Sequence, residues 1–302
     1  MRRDPASWQW HGGCDGKQSP HFQRRKNMPQ HASRIALVTG GASGIGRRIA
    51  EKLALEDRAT VCIVDRDATT AGDAAASIRR SGGKAAYFVV DLASATATQA
   101  MLVELTDQYG SPDIVVNSAG MAATVPALEY PLAHWQLTMA VNVTAPMLII
   151  QHALNGMKAR GWGRVINIAS ISGVRAGTGR LGYGTSKAAL IALTRQFAIE
   201  SAEWGVTVNA VAPGPVDTPL IRSMHGGGTA DLYGAMVPMG RYGAIDEIAH
   251  AAQFLASQGA SYITGHTLAV DGGFLASGLL VRDLFDKPDA QAPGPVVAAH
   301  AH

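Results

Sequence analysis

Residues 34–46 read Arg-Ile-Ala-Leu-Val-Thr-Gly-Gly-Ala-Ser-Gly-Ile-Gly, and a helix-length segment follows, 45–56. An apolar run that ends in glycines and opens into a helix is a strand–turn–helix unit. Glycines at 40, 44 and 46 allow a tight turn. They also let backbone N–H groups approach a pyrophosphate at the positive end of the helix behind them. Ser43 and Ile45 complete the loop. No Gly-Lys-Ser/Thr follows, which argues against a nucleotide triphosphatase loop.

The same rhythm continues to the C-terminal side. Short apolar runs recur at 34–39, 60–65, 85–91, 113–117, 164–170, 206–212 and 266–270. Helix-length segments separate them at 45–56, 68–80, 95–109, 132–160 (read as two helices), 181–203 and 245–257. Continuous apolar strands alternating with helices predict a doubly wound α/β fold, a seven-stranded parallel sheet with helices on both faces. One unbroken alternation predicts a single domain over 34–282. Within it, 214–243 is Gly, Met and Pro rich, long for a connection, and reads as a lid.

Composition sharpens this. The 302 residues hold 26 basic and 23 acidic side chains, for a formal charge of +3. Residues 1–27 hold six of the basic and two of the acidic ones, so the remainder carries −1. The basic excess is therefore a property of residues 1–33, which lack periodicity and read as a disordered extension. Residues 283–302 read as a flexible tail. Charged residues are only 16% of the chain, against about 25% in an average domain, which fits a sheet covered on both faces. No uninterrupted apolar run reaches the roughly 18 residues of a membrane span, and residues 1–33 lack the apolar core expected of a secretory signal. Two cysteines, Cys14 and Cys62, cannot make a disulfide framework or a cysteine zinc site. A cytoplasmic protein with no metal and no membrane or nucleic-acid partner is expected.

Ligands of such sheets bind outside the carboxyl ends of the strands. Asp65 ends the second strand, where a carboxylate accepts hydrogen bonds from adenosine ribose hydroxyls and repels a 2′-phosphate. NAD is thus expected over NADP, although Arg66 follows directly and Arg47 and Arg48 are near in sequence. Asp91, followed by Leu92, ends the third strand and suits either adenine contact or an N-cap. Asn117-Ser118-Ala119-Gly120 ends the fourth, and its small residues let backbone lie against a cofactor. Tyr183 and Lys187 stand four apart on a helix, hence on one face, where an ammonium would lower the phenol pKa. Ser170 ends the fifth strand, and Asn142 is a lone amide among Val, Met and Leu.

These residues, in this order, resemble the short-chain dehydrogenase/reductase family in its roughly 250-residue form. The likeness covers about 34–274. It rests on the loop 39–46, Asp65, Asp91-Leu92, Asn117–Gly120, Asn142, Ser170, Tyr183 and Lys187, the stretch Pro213-Gly214-Pro215-Val216-Asp217-Thr218, and the ending Gly265…Asp271-Gly272-Gly273. Ser118 departs from it, since an asparagine is common there. The resemblance implies a Rossmann fold and a catalytic tetrad of Asn142, Ser170, Tyr183 and Lys187. Tyr183 would exchange the proton, Lys187 would also bond the nicotinamide ribose, Ser170 would bond the reacting oxygen, and Asn142 would hold a water. Ala119, Gly120, Pro213, Gly214, Val216 and Thr218 would meet the cofactor. It also implies a homo-oligomer, a homotetramer in preference to a dimer, built through the long helices 132–160 and 181–203.

Substrate contacts are expected from Ser172, Arg175, Arg180, Arg222 and His225, with a small secondary alcohol such as a sugar or polyol as substrate. A 3-oxoacyl-thioester reductase is the alternative enzyme, and a non-catalytic dinucleotide-binding regulator the alternative of another class. Because the charge excess and the irregular composition stop ahead of Met28, removing residues 1–27 is expected to leave folding and turnover intact. Thermal melts and steady-state rates of the truncated chain check this.

Overall fold

The computed structural model of the chain describes residues 33–218, 234–278 and 280. The strands are β1 (Ile35–Thr39), β2 (Thr60–Asp65), β3 (Lys84–Val89), β4 (Ile114–Asn117), β5 (Gly163–Ile168), β6 (Val206–Pro213) and β7 (Thr267–Val270). They form one sheet in the order β3-β2-β1-β4-β5-β6-β7. Every neighbouring pair is parallel. Strand order reverses between β1 and β4, so the connections leave the sheet in opposite directions there, and a crevice opens at the carboxyl ends.

The expected strands and helices are present, with ends shifted by one or two residues. The helices are α1 (Gly44–Leu55), α2 (Ala68–Arg80), α3 (Ala95–Tyr109), α4 (Leu132–Met139), α5 (Ala145–Arg160), α6 (Leu181–Ser201) and α7 (Ile245–Ala256). Side-chain alternation along the strands assigns each helix to a face. Ala36, Val38, Val61, Ile63, Ile114 and Val116 meet Ile49 and Leu53 of α1, Ile78 of α2 and Ile248 and Leu255 of α7. Their odd-even neighbours Leu37, Cys62, Val64, Val115 and Val165 face the other way. They meet Leu102 and Leu105 of α3, Ile149 and Met157 of α5 and Ala198 of α6. Burying each such Leu or Ile side chain contributes about 1.5–3 kcal/mol. The Cys62 thiol sits inside this second layer, and burial pushes its pKa up to about 12.

Between α4 and α5 the chain stays helical but widens to a π turn over Ala140–Thr144, with the Ala145 N–H donating to the Ala140 carbonyl. Pro146 supplies the cause. It has no N–H to give the Asn142 carbonyl four residues earlier, so α-helical bonding fails at that point. The turn lets a spacing of four run along one side. Leu137 and Val141 line the crevice, and Ala145, Ile149, Ala153 and Met157 continue the series into the core. By length and composition the stretch Leu132–Arg160 could cross a membrane. Here its apolar stripe is spent against α3 and the sheet.

The two ends of the stretch 214–243, expected to form a lid, are tied together. Val216 and Gly243 form a parallel bridge. The Gly243 N–H donates to the Pro215 carbonyl at 2.9 Å, and the Asp217 N–H to the Gly243 carbonyl at 3.1 Å. Val237 is buried against Ile171 and Phe274. Arg222 and His225 lie outside the described residues, as do residues 1–32 and 281–302.

Candidate active site

A cleft of about 610 Å³ runs along the carboxyl ends of the strands. The glycine loop lines its start through Gly40, Ser43, Gly44, Ile45 and Gly46. A Cβ on Gly46 would collide with the Gly40 carbonyl, so only hydrogen fits where α1 leaves the turn. At Gly44 the backbone is left-handed (φ +53°) and the space where a Cβ would stand is open. Ser43 makes no side-chain cap to α1, and no acidic residue lies in its first turn. The first N–H groups of α1 therefore have no capping side chain at a glycine-floored opening, a donor set suited to a pyrophosphate. The loop is tied to β4 through the Thr39 hydroxyl, which accepts the Ser118 and Ala119 N–H groups at 3.1 Å each.

Asp65, Arg66, Asp91 and Leu92 line the same end of the cleft. The Asp65 carboxylate accepts from the N–H groups of Ala42 (3.2 Å), Arg66 (2.8 Å) and Asp67 (3.4 Å). It is thereby held at the mouth of the loop. Arg47 and Arg48 are turned elsewhere. Arg47 pairs with Glu51 at 3.0 Å, and Arg48 pairs with Asp246 at 2.6 Å and Glu51 at 3.3 Å. Asp91 is not an N-cap. It accepts the Ala93 N–H in its own turn, and Ser94 caps α3. Asn117, expected beside a cofactor, is buried and does not line the cleft; its Nδ2 donates to Asn167 Oδ1 at 2.8 Å. Tyrosine- and lysine-bearing α6 faces Ala119 and Gly120 across the cleft, and Pro213, Gly214, Val216 and Thr218 close it from β6.

Ser170, Tyr183 and Lys187 converge at the other end. The Tyr183 hydroxyl is hydrogen-bonded to Ser170. Lys187 is almost wholly buried, and its Nζ donates to the Ile168 carbonyl at 2.7 Å. Burial brings the Lys187 pKa down from 10.5 to about 8. The spacing argument expected Lys187 to lower the tyrosine pKa. In the free protein the phenol instead lies above its ordinary value, because burial disfavours phenolate. The Ser170 hydrogen bond and the Arg180 charge oppose that effect in part. Lys187 Nζ lies 5.8 Å from the Tyr183 ring centre, with one of its three N–H groups given to the Ile168 carbonyl.

Asn142 sits in the π turn, fully buried, and does not line the cleft. Its Oδ1 accepts the Met121 N–H at 2.9 Å, and its Nδ2 donates to the Met121 carbonyl at 3.0 Å and to Ser186 Oγ at 2.9 Å. Ser186 in turn donates to the Tyr183 carbonyl at 2.8 Å. The amide is thus a clamp between the strand-β4 loop and the helix that carries Tyr183 and Lys187. Sequence reading passed over Ser186, although it lies between the two. Of the substrate candidates, Ser172 and Arg180 line the cleft. Arg175 turns away toward Phe274, 5.8 Å from its ring centre.

The buried ammonium has a measurable cost. With a folded pKa near 8 and an unfolded one near 10.5, the unfolded chain binds more protons between those values. Stability at this group therefore rises as pH climbs from 8 to 10.5, and the penalty is fully present below 8. Lys187→Met is expected to abolish turnover while melting no lower than the parent at pH 7. Its advantage should shrink as pH rises through that window, which thermal melts at pH 7 and pH 10 measure.

The family profile described as "Enoyl-(Acyl carrier protein) reductase" matches residues 40–275. The cis-4-hydroxycyclohexanecarboxylate dehydrogenase of Sinomonas cyclohexanicum is 37% identical over 246 residues, which is 81% of this chain and 98% of that protein. The 3-oxoacyl-[acyl-carrier-protein] reductase of Aquifex aeolicus is 36% identical over 241 residues, 80% of this chain and 96% of that one. A crystal structure from Beutenbergia cavernae, described as an NAD(P)-dependent gluconate 5-dehydrogenase with NADP bound at low occupancy, superposes with a TM-score of 0.78 at 38% identity. It covers 82% of this chain and 98% of its own. Likeness of that extent shows the family: the chain belongs to the short-chain dehydrogenases/reductases, oxidoreductases that act on alcohol and keto groups with a nicotinamide dinucleotide.

Proposed function

We propose that the chain interconverts a secondary alcohol and a ketone on a small polar substrate, with NAD preferred over NADP. The observation that carries this is the meeting of Ser170, Tyr183 and Lys187 at one end of a cleft whose other end is the glycine loop. The dinucleotide, when bound, supplies or accepts the hydride. The residues that would hold it are the loop 40–46, Asp65, Asp91, Leu92, Ala119, Gly120, Pro213, Gly214, Val216 and Thr218.

Each catalytic role follows from an environment. The Tyr183 hydroxyl gives its proton to the carbonyl oxygen in reduction and takes it back from the alcohol in oxidation. Ser170, already bonded to that hydroxyl, shares the reacting oxygen and stabilises charge as it forms there. A cation close to the phenol favours phenolate, and Arg180 at the start of its helix and Lys187 one turn on lie 5.9 and 5.8 Å from the ring centre. Asn142 holds the Met121 loop and α6 in register, and so positions Tyr183 without touching it.

Asp65 supports the NAD preference, since its carboxylate stands at the loop and Arg47 and Arg48 are held in ion pairs elsewhere. Arg66 beside it, and the NADP in the Beutenbergia cavernae neighbour, favour the second reading, use of both cofactors. For the substrate, hydroxycyclohexanecarboxylate and gluconate relatives favour a polar alcohol, and the Aquifex aeolicus relative keeps 3-oxoacyl thioester reduction as the alternative. We also take a homotetramer as the assembly, supported by exposed Leu128 and Leu132 near α4 and Ile199 on α6.

Tyr183→Phe is expected to keep NAD binding, read by fluorescence titration, and to lose turnover by about 10³-fold, near the range of general acid–base catalysis. In the parent, kcat/KM with NAD should exceed that with NADP, and Asp65→Ala should narrow the gap. A preference for NADP in the parent would reverse the cofactor assignment. Polyols, hydroxy acids and an acetoacetyl thioester, each assayed with both cofactors, form the substrate panel.

A further inference from the structure

The turn that carries Tyr183 is weakly helical by its own sequence. It reads Leu181-Gly182-Tyr183-Gly184, and glycine is, after proline, the poorest helix former. No side chain caps the first N–H groups of α6, and no acidic residue in its first turn favours the positive end of the helix. Tyr183 therefore depends on neighbouring elements for its place. Both glycines are points of close approach. A Cβ on Gly184 would stand 3.1 Å from the Ser172 carbonyl, in the turn that follows Ser170. A Cβ on Gly182, which is buried, would collide with the hydroxyl and Cζ of Tyr130. Two residues on one helix point about 200° apart. The turn is thus gripped from opposite sides, with Tyr183 between the two contacts.

The placement of Tyr130 is set locally. Pro131 follows it and disfavours helical backbone, and Tyr130 is accordingly extended (φ −70°, ψ 115°) at the end of the short turn Ala127–Glu129. Its ring meets the His134 ring of α4 edge-on, with 5.5 Å between centres. It does not line the cleft. Its hydroxyl oxygen is buried and has no hydrogen-bond partner among the described residues. A buried hydroxyl without a partner gains nothing to offset its desolvation. What the residue supplies is bulk, the far end of a rigid ring backed by His134 and set against the helix backbone.

We propose that Tyr130 is a positioning residue for the reaction. Wedged between His134 and the Gly182 backbone, its ring holds the first turn of α6 against the turn after Ser170, and so keeps the Tyr183 hydroxyl in hydrogen-bond reach of Ser170. This rests on the oxidoreductase reading given above. The Asn142 clamp acts on the same helix through hydrogen bonds at Ser186, whereas Tyr130 acts by volume alone. Misplacing a reacting group by about 1 Å costs up to about 10²-fold in rate. The effect falls on turnover more than on binding, because most of the residues that would hold the dinucleotide stand at the strand ends.

Two variants of the full chain test this. Tyr130→Leu keeps an apolar filler but lacks the ring atoms that reach Gly182. Gly182→Ala adds a methyl group where the phenol stands, while improving helix propensity. The probes are D-gluconate, cis-4-hydroxycyclohexanecarboxylate and an acetoacetyl thioester, each with both cofactors, and rates are taken per cofactor-binding site so that an unfolded fraction does not count. Each variant is expected to lose about tenfold or more in kcat, with KM and the NAD dissociation constant within about threefold of the parent. Tyr130→Phe, which keeps the ring, should retain most of kcat. Adding Tyr130→Leu to Gly182→Ala should recover much of what Gly182→Ala loses, because the methyl group then has room. Should Tyr130→Leu fail to fold, as thermal melts would show, Gly182→Ala decides alone. Parental kcat in either single variant, a loss carried in KM or in cofactor binding, an equal loss in Tyr130→Phe, or losses that add in the double variant overturns the positioning role. Turnover of no probe by the parent with either cofactor would instead refute the oxidoreductase reading on which it rests.

Discussion

Every hydrogen-bonded strand pair in this sheet is parallel, and that constraint arranges the rest. Parallel strands need crossovers, the crossovers are helices, and the helices must cover both faces. All strand C-termini then lie along one edge. Each group of the candidate site follows from this: the glycine loop leaves β1, Asp65 ends β2, Asp91 follows β3, Ala119 and Gly120 follow β4, Ser170 follows β5 and Gly214 follows β6. Residues scattered over about 180 positions of sequence thus meet in one crevice without any long-range device beyond strand pairing. The Thr39 hydroxyl, bonded to the Ser118 and Ala119 N–H groups, fastens the seam at the point of reversal.

Within that frame the catalytic end depends on desolvation as much as on contact. Lys187 is buried and Tyr183 half-buried, and desolvation moves their pKa values in opposite directions and apart, the lysine down and the phenol up. Cations and hydrogen-bond donors near the phenol then decide how much phenolate exists, which makes Ser170 and Arg180 part of the acid–base balance. A charged ligand bound close by would alter that balance directly.

Strand–helix alternation and the glycine loop were legible because they rest on periodicity and on a residue with no Cβ. The pair Tyr183 and Lys187 was legible because helical spacing alone gives one face. The sign of the tyrosine shift was not, since it depends on how deeply the ring is covered, and spacing carries no information on depth. Asn117 looked like a ligand-facing polar residue at a strand end. Its partner Asn167 lies 50 residues away on β5, and only the register of the sheet brings the two amides together. Ser186 was invisible for the same reason, because its partner Asn142 comes from another helix. The π turn had one visible mark, Pro146 in the middle of a helix-length run. Residues 219–233, which include Arg222 and His225, fall outside what the structure describes.

That turn acts as a phase shifter. A spacing of four residues drifts by about 40° per step around an ordinary helix, so Leu137 and Ile149 would diverge by roughly 120°. One residue inserted as a π turn takes back about 100° of that. Wound as a regular α-helix, the same residues would carry the cleft wall about 100° away from the core stripe. Removing one residue from 140–144 would instead absorb the π turn into regular helix, since the shortened spacing from Leu137 to Ile149 comes to roughly 20° around the rod. The faces on either side would keep their directions, and the change would fall on the turn that carries Asn142. The extra residue is thus a local graft, able to come or go at the catalytic end without unsettling the packing of α4 or α5.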